Sequence, residues 1–285
     1  MISNLWNDFK FKFLKSGNPA LFYVGLNVLV FIAFSFVSVI CFFIGKNGQS
    51  IGFINDYLAF PAAPHLWVTH FYTVVTYQFL HADFFHILFN MLWLYWMGQL
   101  LLDFIKPRQF HFLYLLGGIF GALFFAAIFN LAPVYLSIVG KATIIGSSAS
   151  VMAIFAALVT LVPNYSIRLM FFGDVKVKYL LLAYIVLDIV GTSSTNAGGS
   201  IAHLGGALFG FVYIKFLQNG TDLSTIFKAK PKFKVVKNTQ AKPNFTKPSG
   251  VNQQEIDAIL DKISASGYDK LTKEEKETLF RASKN

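Results

Sequence analysis

An all-α polytopic membrane protein, with six spanning helices followed by a small helical hairpin, is the fold this chain predicts, and three observations predict it. Charged residues fill 13% of the 285 positions, about half the share in an ordinary soluble domain. Hydrophobic residues fill 55%, with 33 phenylalanines among them, and they gather into six runs near the roughly 20 residues needed to cross an apolar layer of about 30 Å. Past residue 217 the pattern changes to seven lysines between 228 and 247, and then to Ile256, Ile259, Leu260 and Ile263 at helical spacing.

In chain order, residues 1–19 are polar and amphipathic and carry Lys10, Lys12 and Lys15. No small-residue cleavage site follows a short apolar core, so the first span is expected to stay in the membrane. The spans fall at about 20–44, 84–104, 109–131, 146–162, 178–193 and 200–217, the fourth and fifth being short. Positive loops are retained on the cytoplasmic side. Lys106, Arg108, Arg168, Lys176, Lys178 and the tail lysines lie in one set of connections, whereas the other set holds only Lys46 and Lys141. Both termini are therefore expected to be cytoplasmic. The first outer connection, about 46–83, is rich in aromatic residues such as Phe60, Trp67 and Tyr72, which predicts a partly helical segment embedded in the outer leaflet.

Residues 218–250 read as a basic disordered linker lying near anionic lipid. Residues 251–285 read as a helical hairpin: Gly267 ends its first helix, and Thr272 with Glu275 forms the capping-box pattern that opens the second. A unit of about 30 residues has too little core to stand alone. It is expected to dock on the membrane domain or on a cytoplasmic partner.

Composition also excludes classes. The lone Cys41 permits no intramolecular disulfide. The net charge of +10 sits at membrane boundaries and in the tail, with no recognition motif beside it, so a nucleic-acid partner is not expected. The partner the chain does predict is the lipid bilayer.

With both termini inside, spans two, four and six all begin on the outer side, and the polar residues that need explaining gather there. His86 and Asn90 open the second span, Ser147 and Ser148 the fourth, and His203 the sixth. A group two to six positions into a helix lies about 3 to 9 Å below the boundary. Facing lipid, each is costly, so they are expected to face one another in a cavity that water reaches. Spacing agrees: His203, Gly206 and Gly210 fall at i, i+3 and i+7, and Ala149, Ala153, Ala156 and Ala157 give the fourth span a small-residue face. Tight packing of these faces can bring a serine hydroxyl within reach of an imidazole base, the pairing that nucleophilic catalysis requires.

The segment His86-Ile87-Leu88-Phe89-Asn90-Met91, with Leu94 and Gly98, resembles the second-helix signature of rhomboid intramembrane serine proteases. Gly146-Ser147-Ser148-Ala149 is similar to their nucleophile motif, and Ala202-His203 with Gly206 and Gly210 to their catalytic-histidine helix. The three motifs occur in order over about residues 20–217. The resemblance, which is to the bacterial type, implies a six-helix rhomboid bundle in the cytoplasmic membrane and cleavage of transmembrane protein substrates near the outer face. It implies a Ser148–His203 dyad, with no obligatory third acid. It implies an oxyanion hole of His86, Asn90 and the Ser148 backbone N–H, with His81, Met152, Gly206 and Gly210 in support, and no metal or cofactor.

This chain departs from the family pattern at three places. Ala149 follows the serine where Gly is usual, Met152 stands where a Tyr often stacks on the histidine, and Tyr72-Thr73 replaces a Trp-Arg pair in the first outer loop. The imidazole is accordingly expected to be held by the Met152 sulfur and packing, and His81 to support the loop and second helix. Asp188, near the outer end of the fifth span, is read as protonated, bonded to a hydroxyl such as Thr192 or Ser193, or reaching toward His203, with the structural role preferred.

Other protease classes fit worse. A His-Glu-x-x-His site fails because Ile87 and Asn90 occupy two of its three positions. A paired-aspartate site lacks a second intramembrane acid. An α/β hydrolase shares the order Ser148, Asp188, His203, but Ser150 stands where its elbow needs Gly. The alternative from another class is an inactive rhomboid-like protein that escorts transmembrane segments; such relatives usually lose the Ser or the His, and both are present here.

Overall fold

The computed structural model describes residues 7–169, 173–226 and 252–283, in two compact units, residues 1–228 and 229–285. In the first unit, Asn18 begins the bundle by accepting the Leu21 N–H at 3.1 Å, with Pro19 in the first helical position. That helix, α1, runs Pro19–Phe43. Its 25 residues span about 37 Å, and Ile32, Phe36, Val39 and Phe43 along its second half are exposed, as a lipid-facing surface requires. The outer connection then forms short helical turns, Gln49–Phe53 and Thr73–Thr76, and a strand β1, Phe60–Pro61.

Asp83 caps α2, Phe84–Leu102, by accepting the His86 N–H at 2.9 Å. The helix α3, Pro107–Leu131, opens with Pro107 and with the Lys106 N–H donating to Gln109 Oε1 at 2.8 Å. The chain returns as strand β2, Thr143–Ile144, antiparallel to β1 with Phe60 opposite Ile144. Next come α4, Ser148–Leu161, the β3–β4 hairpin of Ser166–Leu169 and Gly173–Lys176, α5, Val177–Gly191, and α6, Ala197–Gln218. Helices α1, α2, α3 and α6 are long and apolar enough to cross a membrane, whereas α4 is a shorter apolar helix. The two short ladders are additions to an otherwise helical domain that hydrophobic period did not signal. The Thr143–Ile144 pairing matters, because irregular backbone at membrane depth must find partners. It does so through the β1 ladder, the Ala62 N–H to Ala142 O at 2.9 Å and the Gly146 N–H to Tyr77 O at 2.9 Å.

Helix α4 is central. Every residue from Ala149 to Leu158 is buried, and its 14 residues rise only about 21 Å. Two glycines of α6 make its closest packing possible: a Cβ on Gly206 would overlap the Ala149 carbonyl oxygen, and one on Gly210 the Ala153 carbonyl oxygen. From the other side α3 sets Gly121 against Ala149 and Gly117 against Ala153. Backbones at this range are held by dispersion and shape.

At the opposite end from Ser148, Asp222 gathers donors. Arg108 Nη2 reaches Oδ2 at 2.8 Å and Gln109 Nε2 at 3.0 Å, while Tyr213 OH, the Ser224 N–H and Ser224 Oγ reach Oδ1 at 3.1, 3.0 and 2.6 Å. Burial pushes the Asp222 pKa up, but the hydrogen bonds from Ser224, Gln109 and Arg108 outweigh it and bring the carboxyl down to about 2.

The second unit is described over 252–283. Helices α7, Gln253–Ser266, and α8, Lys273–Ser283, are separated by Gly267 at φ +83°. Thr272 and Glu275 exchange the two bonds of a capping box, and Lys262 meets Glu275 at 2.7 Å. Ile259 and Leu271 are its buried residues. Most of the basic stretch expected at 218–250 lies outside the described residues, as do positions 1–6 of the first segment.

Candidate active site

The nucleophile-type residue is the first of α4. Its N–H, like those of any first helical turn, has no acceptor within the helix. The turn before it depends on Gly146, whose φ of +125° suits glycine. A side chain there would also press on His86, whose Nε2 is 2.8 Å from the position a Cβ would take. The same glycine thus lets the chain turn into α4 and lets an imidazole from α2 come close.

Ser148 Oγ lies 2.6 Å from His203 Nε2. The glycine face sets that distance: with Gly206 against the Ala149 carbonyl, α6 rides one turn away from Ser148, and His203 is three residues before Gly206. Both side chains open into a cavity of about 370 Å³. His86 and Asn90 line it from α2, on one face at i and i+4, and Asn90 is buried. Trp93, Val151, Met152 and Phe155 form the apolar part of the wall. Trp93 stacks on Phe155 with ring centroids 5.2 Å apart.

Ser148, His203, His86, Asn90 and Met152 all line this cavity, whereas His81, Gly206 and Gly210 lie outside its lining, and three contacts differ from expectation. His81 does not brace the second helix through a hydrogen bond. Its Nε2 meets Ser147 Oγ at 3.2 Å, directly before α4, and its ring stands edge-on to His86 at 5.0 Å. Burial, reinforced by the neighbouring His86, pushes the His81 imidazole down to about 3, so this ring is neutral. Met152 is buried in the cavity wall, but the aromatic neighbour of His203 comes from α5, with the Tyr184 ring edge-on at 6.2 Å. Asp188 also differs. The Thr192 and Ser193 hydroxyls turn back to Ile189 O and Val190 O, and Asp188 Oδ1 meets His203 Nδ1 at 2.9 Å. Hydroxyls at the end of a helix reach their own i−3 carbonyls more easily than a neighbour's carboxylate.

Tyr184 is the residue that sequence reasoning missed, and contact of Asp188 with His203 was the less favoured of its readings. Their signal was faint: Tyr184, Asp188 and Gly191 fall at i, i+4 and i+7, one face of α5. Gly191 lets Ser200 of α6 approach so closely that an added Cβ would strike its hydroxyl. Among the described residues, no group of three or more His, Cys, Asp or Glu is placed to hold a metal ion.

Comparison with known proteins adds a family to this geometry. The rhomboid domain family matches residues 68–219, which include every side chain described at the cavity. Residues 249–285 match a family of unknown function (DUF6576). The presenilin-associated rhomboid-like protein A, mitochondrial, of Danio rerio is 30% identical over 142 residues, covering 49% of this chain. The match takes in 36% of that relative's length.

Proposed function

The chain belongs to the rhomboid family, and from that premise we propose that it is an intramembrane serine endopeptidase that cleaves transmembrane segments of other membrane proteins. The observation that carries this reading is the 2.6 Å approach of Ser148 Oγ to His203 Nε2 in a cavity lined by both polar and apolar side chains. A serine hydroxyl is a weak nucleophile until a base takes its proton, and imidazole can take it and return it to the leaving amine. In this reading Ser148 attacks the scissile carbonyl and His203 is the general base. The oxyanion is held by the Ser148 N–H, the Asn90 amide and an N–H of His86. His81 holds Ser147, and Met152, Gly206 and Gly210 shape and close the site around Ser148 and His203.

In the same reading the chain crosses a bacterial-type cytoplasmic membrane six times, with both termini in the cytoplasm and the cavity toward the outer face, as the positive charge of the inner loops favours. Residues 20–217 form the protease domain, 218–250 a basic linker on anionic lipid, and 251–285 a hairpin for a cytoplasmic partner. Substrates are expected to carry helix-weakening residues near the cut, because a helical peptide bond must be exposed before it is attacked.

Purified protein in detergent treated with a fluorophosphonate probe tests the reading. Labelling is expected in the wild type and absent in Ser148→Ala. Membrane-protein fragments found by mass spectrometry in wild-type but not Ser148→Ala cells would identify substrates. A wild type that neither labels nor releases fragments would leave binding without cleavage as the function.

A further inference from the structure

We infer that Asp188 is a positioning residue for His203, so that this site works as a Ser148–His203–Asp188 relay and not as a dyad. The inference rests on the protease reading above and deepens it. Its basis is a chain of contacts from three helices. Ser148 of α4 meets His203 Nε2 at 2.6 Å, and on the far side of the same ring Asp188 of α5 meets Nδ1 at 2.9 Å.

A carboxylate can only accept, so it selects the tautomer with hydrogen on Nδ1. That leaves the Nε2 lone pair facing the serine hydroxyl. A neutral histidine without such a partner is free to take the other tautomer, in which Nε2 carries a hydrogen and no base faces Ser148.

Cost points the same way. Asp188 is buried, on a helix whose other faces expose Leu182, Val186, Leu187 and Val190. An acid at such a position is expensive and calls for an explanation. Structural bonding does not supply one. Among the described residues Oδ2 has no hydrogen-bond partner, and the nearby Thr192 and Ser193 hydroxyls bond elsewhere. The fold nevertheless brings α5 to this point: Gly191 admits Ser200 of α6 one turn beyond, and Tyr184 packs on the same imidazole one turn before.

The step balances without a further reactant. Ser148 Oγ bonds to the carbonyl carbon, the carbonyl π pair moves to its oxygen, and the hydroxyl proton passes to Nε2. Nδ1 keeps its hydrogen against Asp188, which takes no proton and stabilises the imidazolium. The Nε2 proton then passes to the leaving amine as its C–N bond breaks.

The titratable groups facing His203 are Asp188 and Tyr184 from α5 and His86 from α2, with Asp83 at the rim of the same cavity. From α4 it faces Ser148 and Met152, and α3 meets this part of α6 through Gly121 against Ala202.

The test is the rate of fluorophosphonate labelling of the full chain in detergent between about pH 5 and 9, for wild type, Asp188→Asn and Asp188→Glu, with thermal midpoints measured alongside. Asp188→Asn is expected to slow labelling about a hundredfold or more, as loss of the acid does in a serine-protease triad. It is also expected to change the pH profile of labelling, which a merely structural role would leave unmoved. Asp188→Glu is expected to keep the wild-type half-maximal point and to recover part of the rate. If Asp188→Asn does not fold, Asp188→Glu decides alone. Wild-type rate and pH profile in folded Asp188→Asn overturn the relay, as do equal losses in both variants with an unmoved profile, or a lost profile in folded Asp188→Glu. Failure of the relay leaves the wild type still labelled at Ser148. An unlabelled wild type overturns the protease reading, and the relay with it.

Discussion

Two aspartates at opposite ends of the same bundle are treated in opposite ways. Asp222 is saturated, with five hydrogen bonds shared over its two oxygens from Arg108, Gln109, Tyr213 and Ser224. Asp188 is more deeply buried, yet it meets His203 through one oxygen while the other has no partner among the described residues. A carboxylate that staples three segments of chain uses all its acceptors, because each charge-assisted bond adds stability. One that must respond to a changing charge on a single neighbour keeps a single partner. In the proposed reading the polar cluster at the Ser148 end serves chemistry, whereas that at the Asp222 end holds the chain together.

Perturbations should divide along the same line. The largest effect is expected at the first cluster. Asn90→Ala should lower turnover about 10²- to 10³-fold, the usual cost of losing one oxyanion donor, with little change in thermal midpoint. An Asn90→Ala protein that turns over normally would remove this residue from the oxyanion hole.

At the other end, Asp222→Asn should cost about 1 to 3 kcal/mol of stability through weakened charged hydrogen bonds, while the folded fraction keeps its turnover. This carboxyl is lowered from the ordinary 3.8 to about 2. Its contribution is thus complete above pH 3.8 and is lost as pH falls toward 2. Acid unfolding of Asp222→Asn, followed by helical circular dichroism, should lack that component. A variant as acid-sensitive as the wild type would break the comparison.

The smallest effect at neutral pH is expected at His81, which lies beside the site but belongs with the supports. Lowered from 6.5 to about 3, it resists protonation when folded and accepts a proton when unfolded. Stability should therefore fall as pH drops from 6.5 toward 3 and be independent of this group above 6.5. His81→Gln should flatten that slope, and an unchanged slope would mean that the ring is not held neutral.

What could be read from the sequence was local. Ser148, His86, Asn90 and His203 each stand near the start of an apolar run within a short motif, so their common depth follows from loop charge and helical rise. The Gly206 and Gly210 face follows from period alone. Asp188 could be read only as a choice between a local hydroxyl, a protonated acid and a reach toward His203, and packing between α5 and α6 decides among them. Tyr184 was hidden for the same reason, as an aromatic residue in an apolar helix reads as lipid contact. The β1–β2 ladder joins Phe60 to Ile144 through two residues a side, too short a pairing to leave a period in either segment.

Helix lengths around the bundle also bear on the surrounding lipid. On one flank α1 offers an apolar column of about 37 Å, whereas on another the lipid-facing α5 has 15 residues and rises about 22 Å. Against a hydrocarbon layer of about 30 Å the first is too long and the second too short, so the bilayer must thicken or let α1 tilt on one side and pinch inward on the other. On that mismatch the thinnest lipid is expected beside α5, the helix whose Tyr184 and Asp188 meet His203.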